Sequence, residues 1–125
     1  MGRCTGKVAV MGFCMGGALA FATACRVPGL CAVVPFYGVP TAADWSKVDA
    51  PIQAHFASRD GWAKASSAKE IQAALAARNQ PMELHVYDAD HAFMNERRPE
   101  VHDPAAARLA WQRACDFIRQ HSAQR

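Results

Sequence analysis

Long hydrophobic runs are missing from this chain. No stretch of its 125 residues approaches the roughly 20 consecutive apolar side chains that span a bilayer, so no membrane partner is expected. Residues 1–7 lack the apolar core of a secretory leader. Charge of one sign is scarce too. The net value is +3, too small and too scattered to imply a nucleic-acid partner. The arginines gather late (Arg97, Arg98, Arg108, Arg113, Arg119 and Arg125) and read as the solvated face of a helix rather than a phosphate track. Five cysteines form no C-x-x-C pair and no metal-ligand spacing, so no metal site is expected. Their odd count and apolar settings suit the reduced thiols of a cytoplasmic protein. Repeats and low-complexity segments are also lacking. What remains is a chain 51% apolar and 20% charged, enough for one globular domain with a modest core.

Apolar runs alternate with helical patterns. Lys7–Phe13, Leu30–Tyr37, Pro51–Ser58 and Met82–Tyr87 read as strands; the first two are nearly all apolar, as parallel strands covered on both faces are. Gly16–Cys25 reads as a helix of small residues closed by Pro28-Gly29, and Val39–Ala50 as a loop with one helical turn. Ser67-Ala68-Lys69-Glu70 has the form of a capping box, followed by Ile71, Ala74, Leu75 and Arg78 at helical spacing and a stop at Asn79-Gln80-Pro81. A loop from Asp88 to Asp103 holds His91. Asp103-Pro104 opens a final helix with the stripe Ala107, Ala110, Trp111, Ala114, Phe117 and Ile118. The order β-α-β-β-α-β-α predicts an α/β fold, about four parallel strands with helices on both faces. In such sheets the active site lies beyond the carboxyl ends of the strands, where Cys14, Asp60 and His91 all fall.

Gly12-Phe13-Cys14-Met15-Gly16 is a G-x-S-x-G elbow with cysteine in place of serine. A sharp strand-to-helix turn exposes a nucleophile, and the flanking glycines relieve clashes there. The helix N-terminus favours an anion and should lower the thiol pKa. The Met15 N–H is placed to meet a developing oxyanion. Cys…Asp…His is also the chain order of α/β-hydrolase triads. His91 would then be the general base and Asp60 the group that fixes its tautomer. Each residue has a plainer reading: a buried inert cysteine, a turn aspartate in Arg-Asp-Gly, a surface histidine. Asp88 and Asp90 rival Asp60 in their nearness to His91. Phe13, Tyr37 and Phe93 are the expected substrate contacts.

With these motifs in view, the chain resembles the dienelactone hydrolase family. "GFCMGG" is similar to that family's nucleophile elbow, cysteine included. "DADHAF", with the following "NERRPEVHDPAAARLAWQRACDFIRQH", resembles its histidine loop and last helix, and "VVPFYG" and "HFASRDGWA" resemble the strands between. The resemblance implies cofactor-free hydrolysis of a small ester or lactone through an acyl-thioester on Cys14. It also implies that residues 1–125 form a partial domain, without a preceding half that carries four further strands. That half would supply a second oxyanion N–H, a glutamate near the thiol and an arginine for a substrate carboxylate. Ala92 and Asn95 stand where some members place polar or basic substrate contacts.

A strand at Lys7–Phe13 with no neighbour on one side would be an apolar edge, prone to pair with another chain. A homodimer joined through this strand and its adjacent face is the expected remedy. Two function classes follow: a hydrolase with a working Cys-Asp-His triad, or a weak or inactive relative serving as a dimeric scaffold or binding module. Redox sensing through Cys14 is a third, with no resolving cysteine beside it in sequence.

Overall fold

The computed structural model describes residues 8–40 and 44–123. Cys4, Lys7 and residues 41–43 of the expected loop lie outside the described residues. Four strands and three helices follow one another: β1 (Ala9–Phe13), α1 (Met15–Arg26), β2 (Ala32–Phe36), a short 3-10 turn (Trp45–Lys47), β3 (Ile52–Arg59), α2 (Ala65–Ala76), β4 (Met82–Asp90) and α3 (Pro104–Ala123). The strands form one sheet in the order β1-β2-β3-β4, every pair parallel. Right-handed crossovers that step the same way each time place α1 and α2 on one face, and α3 covers the other.

Neighbours decide how each strand is buried. All five residues of β2 are buried, as a strand with partners on both sides and helices on both faces requires. β1 has a similar composition but one partner among the described residues, and Val8 just before it is 53% exposed. Phe21, Phe36, Phe56, Ile52 and Leu75 are fully buried, and each such side chain contributes about 1.5–3 kcal/mol. Small residues bring helices close to the sheet. Ala20 and Ala24 on α1 and Ala110 and Ala114 on α3 are all buried.

The face beneath α3 carries a row of rings. Phe13, Phe36, His55 and His85 stand in register across all four strands. Their successive centroids are 4.4, 4.5 and 5.5 Å apart. Around His55 runs a directed hydrogen-bond chain. Arg113 Nη1 donates to Tyr87 Oη (3.2 Å), and that hydroxyl donates to His55 Nδ1 (2.8 Å). His55 Nε2 donates to Gln53 Oε1 (2.7 Å), and Gln53 Nε2 to Glu83 Oε2 (2.8 Å). The direction follows from the ends: a guanidinium only donates and a carboxylate only accepts. Burial, then the nearby His85 and Arg113 charges, press the His55 pKa down to about 3.

Several local expectations are corrected. Helix α2 begins at Ala65, making Ser67 its third residue; no capping box forms, and Lys64 stands at the N-cap without a side-chain bond. The reason lies upstream, where the Asp60 carboxylate binds the Trp62 and Ala63 amides and fixes the turn before the helix. Ala74 is exposed, the buried face of α2 being Ala68, Ile71 and Leu75. β4 continues through Asp90 and takes up the start of the expected loop. Trp111 is 49% exposed, one position off the stripe of Ala110, Ala114 and Phe117. Asp103 does cap α3, its Oδ1 accepting from the Ala106 N–H at 3.1 Å.

Candidate active site

Cys14 sits between β1 and α1 with φ 57° and ψ −120°, a conformation L-residues rarely adopt. Such backbone costs about 1–3 kcal/mol and persists only where its surroundings impose it. Here the Cys14 N–H donates to Phe36 O (3.1 Å), and the Cys14 carbonyl accepts from Gly17 N (2.9 Å) and Ala18 N (3.2 Å). Three glycines make the turn physically possible. A Cβ on Gly12 would stand 2.0 Å from Gly16 O, one on Gly17 2.3 Å from Phe36 O, and one on Gly38 2.0 Å from Cys14 O. Gly16, expected to relieve a clash, faces open space. Clash relief therefore falls to Gly12 on β1, Gly17 inside α1 and Gly38 after β2. The Met15 side chain is 70% exposed. Its amide belongs to the helix's first turn, whose N–H groups have no intrahelical acceptor.

The Cys14 thiol pKa is raised, against the expected lowering. Burial is the main cause and the negative Asp60 the second, and the positive Arg98 only partly offsets them. These effects oppose the lowering expected from the helix N-terminus. Among the described residues no hydrogen bond joins it to His91.

Asp60 follows β3 directly, its side chain wholly buried. Oδ1 accepts from the Trp62 N–H (2.9 Å) and the Ala63 N–H (2.8 Å), and Oδ2 from His91 Nδ1 (2.5 Å). A carboxylate accepts only, so Nδ1 carries the proton, and in the neutral ring Nε2 keeps its lone pair. The rivalry among aspartates is decided by direction: Asp88 and Asp90 both pair with the exposed Arg59, Asp90 at 3.0 Å. His91 is 27% exposed and packs edge-on between Tyr37 (5.1 Å between centroids) and Trp62 (5.2 Å).

A cavity of about 340 Å³ opens beside the thiol, lined by Phe13, Cys14, Tyr37, Ala92, Met94 and Asn95. Phe13 and Tyr37, two of the expected substrate contacts, both line it. Tyr37, itself at φ 35°, lines this cavity with Cys14 while its ring touches His91. Burial, and then the neighbouring Cys14, push its hydroxyl pKa well above the ordinary value. Phe93 is not a wall of the cavity. It is fully buried against Tyr37 (5.4 Å) and Tyr87 (5.2 Å). Ala92, at φ 67°, turns the chain so that Phe93 enters the core while Ala92, Met94 and Asn95 face the cavity. Nothing in the sequence singles out Met94. Among the described residues no group of three or more His, Cys, Asp or Glu is arranged to hold a metal. No described helix is long and apolar enough to cross a membrane.

The dienelactone hydrolase family model matches residues 1–122. The Usf protein of Aquifex pyrophilus is 34% identical over 119 residues, covering 92% of this chain and 52% of that protein. Carboxymethylenebutenolidase 1 of Cupriavidus pinatubonensis is 34% identical over 116 residues, 90% of this chain and 48% of that protein. The crystal structure of a Klebsiella pneumoniae subsp. pneumoniae protein assigned as a dienelactone hydrolase superposes with a TM-score of 0.80 at 28% identity, over 90% of this chain and 51% of that one. The chain thus spans about half the length of the curated relatives it matches. The family match over residues 1–122, the four parallel strands and the superposition lead to one assignment: this chain belongs to the dienelactone hydrolase family of α/β-hydrolases.

Proposed function

We propose that the chain hydrolyses small esters or lactones, with Cys14 as nucleophile, His91 as general base and Asp60 as the residue that orients the imidazole. Sγ of Cys14 attacks the carbonyl carbon while its proton passes to His91 Nε2. The Met15 N–H meets the oxyanion. Collapse breaks the bond to the leaving alcohol, which takes the proton from His91. Water, deprotonated by the same nitrogen, attacks the thioester, releases the acid and restores the thiol. No cofactor enters this scheme.

One observation carries the reading. A wholly buried aspartate that also accepts from two amides holds the Nδ1 side of a partly exposed histidine, whose Nε2 has no hydrogen-bond partner among the described residues and whose ring packs on Tyr37, a wall of the Cys14 cavity. The test is hydrolysis of p-nitrophenyl butyrate together with mapping of alkylated thiols. Cys14→Ala should abolish turnover and remove one labelled peptide; unchanged turnover ends the reading.

A second reading, a binding scaffold without turnover, draws on the raised thiol pKa and the lack, among the described residues, of a hydrogen bond from the thiol to His91. Ester binding without hydrolysis would support it. In either case we place residues 1–125 as one partial domain in a cytoplasmic setting that keeps its thiols reduced, Cys14, Cys25, Cys31 and Cys115 being free. We assign it a homodimer through the β1 edge, where Val8 and Phe13 are exposed. Light scattering at micromolar concentration should give twice the chain mass; a stable monomer refutes the pairing.

A further inference from the structure

We infer, on the proposed roles of Cys14 and His91, that the Tyr37 ring is the positioning element that keeps the His91 imidazole from tilting and so sets its approach to the thiol.

Tyr37 stands just past the end of β2 with φ 35°. Adjacent residues of an extended strand point to opposite faces of a sheet. Here the Phe36 and Tyr37 rings lie only 6.0 Å apart, their planes at 71°. The left-handed backbone has turned the second ring toward the side of the first. Such backbone is costly in a residue with a Cβ, and it gathers at functional sites. The chain on either side of the ring is tied to the elbow. Phe36 O accepts from the Cys14 N–H at 3.1 Å, and a Cβ on Gly38 would stand 2.0 Å from the Cys14 carbonyl oxygen. The Tyr37 N–H itself donates to His55 O at 2.7 Å.

The ring is 2% exposed, packed against Phe93 at 5.4 Å and Phe13 at 6.3 Å between centroids. Buried side chains of this kind hold one rotamer. Against that fixed surface lies the His91 ring, at 5.1 Å and 62°. Asp60 grips the imidazole at Nδ1 alone. A single hydrogen bond fixes a direction and leaves the ring plane free to tilt about it. Trp62, on another side of the imidazole, is 59% exposed and gives a softer support. Tyr37 also shares the cavity wall with Cys14. One buried ring, seated on the elbow, therefore braces the base beside the nucleophile. A misplacement of about 1 Å between reacting groups can cost about 100-fold in rate.

Two substitutions separate the ring from its hydroxyl. With p-nitrophenyl butyrate, and rates counted per folded molecule, Tyr37→Phe should keep kcat within about threefold of wild type. Tyr37→Leu should lower kcat by about 100-fold and change KM by less than about threefold. An unchanged kcat in Tyr37→Leu, a loss confined to KM, or an equal kcat loss in Tyr37→Phe overturns the inference. Should Tyr37→Leu not fold, Tyr37→Met, flexible and of similar size, takes its place with the same expected loss.

A second readout needs no turnover. The proton on His91 Nδ1 should give a downfield NMR signal in the wild type and in Tyr37→Phe, and the signal should broaden or vanish in Tyr37→Leu. A signal absent from the wild type, or as sharp in Tyr37→Leu as in the wild type, overturns the inference. If the wild type hydrolyses no ester, the nucleophile assignment fails, and this signal alone decides the role of Tyr37.

Discussion

Two histidines of this chain, His55 inside β3 and His91 just past the end of β4, lead opposite lives. His55 is fully buried, both ring nitrogens spent on Tyr87 and Gln53. His91 has one nitrogen held by Asp60 and sits at the rim, partly open to solvent. The first is a closed circuit that ties β3, β4 and α3 together; the second is an open one with a basic lone pair left over. A buried polar group with every bond made adds order, whereas one with a bond still to make near the surface is open to chemistry.

The comparison breaks most visibly if the two residues are removed in turn. His91→Gln should lower kcat/KM for p-nitrophenyl butyrate by about 10²–10⁴-fold while leaving Tm nearly unchanged. His55→Ala should do the reverse. It opens a cavity and strands the Tyr87 hydroxyl and the Gln53 carboxamide, so urea unfolding should show a loss of about 2–4 kcal/mol, with activity per folded molecule kept.

Acid sharpens the contrast. The His55 pKa is about 3 in the fold against an ordinary 6.5. Between these values the unfolded chain binds the proton and the folded one does not, so stability rises with pH across this window. Above pH 6.5 the contribution is complete. As pH falls toward 3 the fold should lose about 1.4 kcal/mol per unit from this residue, and His55→Ala should flatten the slope. A slope unchanged in the variant would show that other groups carry the acid sensitivity.

The elbow glycines give the finest comparison. Gly12→Ala places a Cβ against the Gly16 carbonyl oxygen, backbone that cannot move aside cheaply. It should cost about 3 kcal/mol or more and abolish labelling of Cys14. Gly16→Ala meets nothing and lies within α1. It should raise stability by about 0.5–1 kcal/mol, read as a small increase in Tm with hydrolysis retained.

The same pair of glycines shows what a linear pattern leaves out. The G-x-C-x-G spacing marks the turn correctly, yet it credits Gly16 with a role that belongs to Gly17 and Gly38, the second more than twenty residues away. Clash is a matter of through-space distance, and the spacing holds no record of β2 passing behind the elbow. The thiol pKa went astray for a related reason. A helix N-terminus is visible in sequence, but burial and the Asp60 charge arise only once the ends of β1 and β3 come to one edge of the sheet, with β2 between them.

By itself the sequence determined the alternation of strands and helices, the elbow at Cys14, and the order of thiol, carboxylate and imidazole along the chain. These are written in local terms: runs of apolar residues, glycines that permit a turn, residues that end a strand. Tertiary structure alone decided that Asp60 rather than Asp88 or Asp90 holds His91, that Phe93 fills the core while Met94 and Asn95 border the cavity, and that His55 closes a buried circuit. Each of those outcomes depends on the direction of a side chain after the chain has turned, at Ala92 or at the end of β3. Direction in space is set by the packing of distant segments against one another.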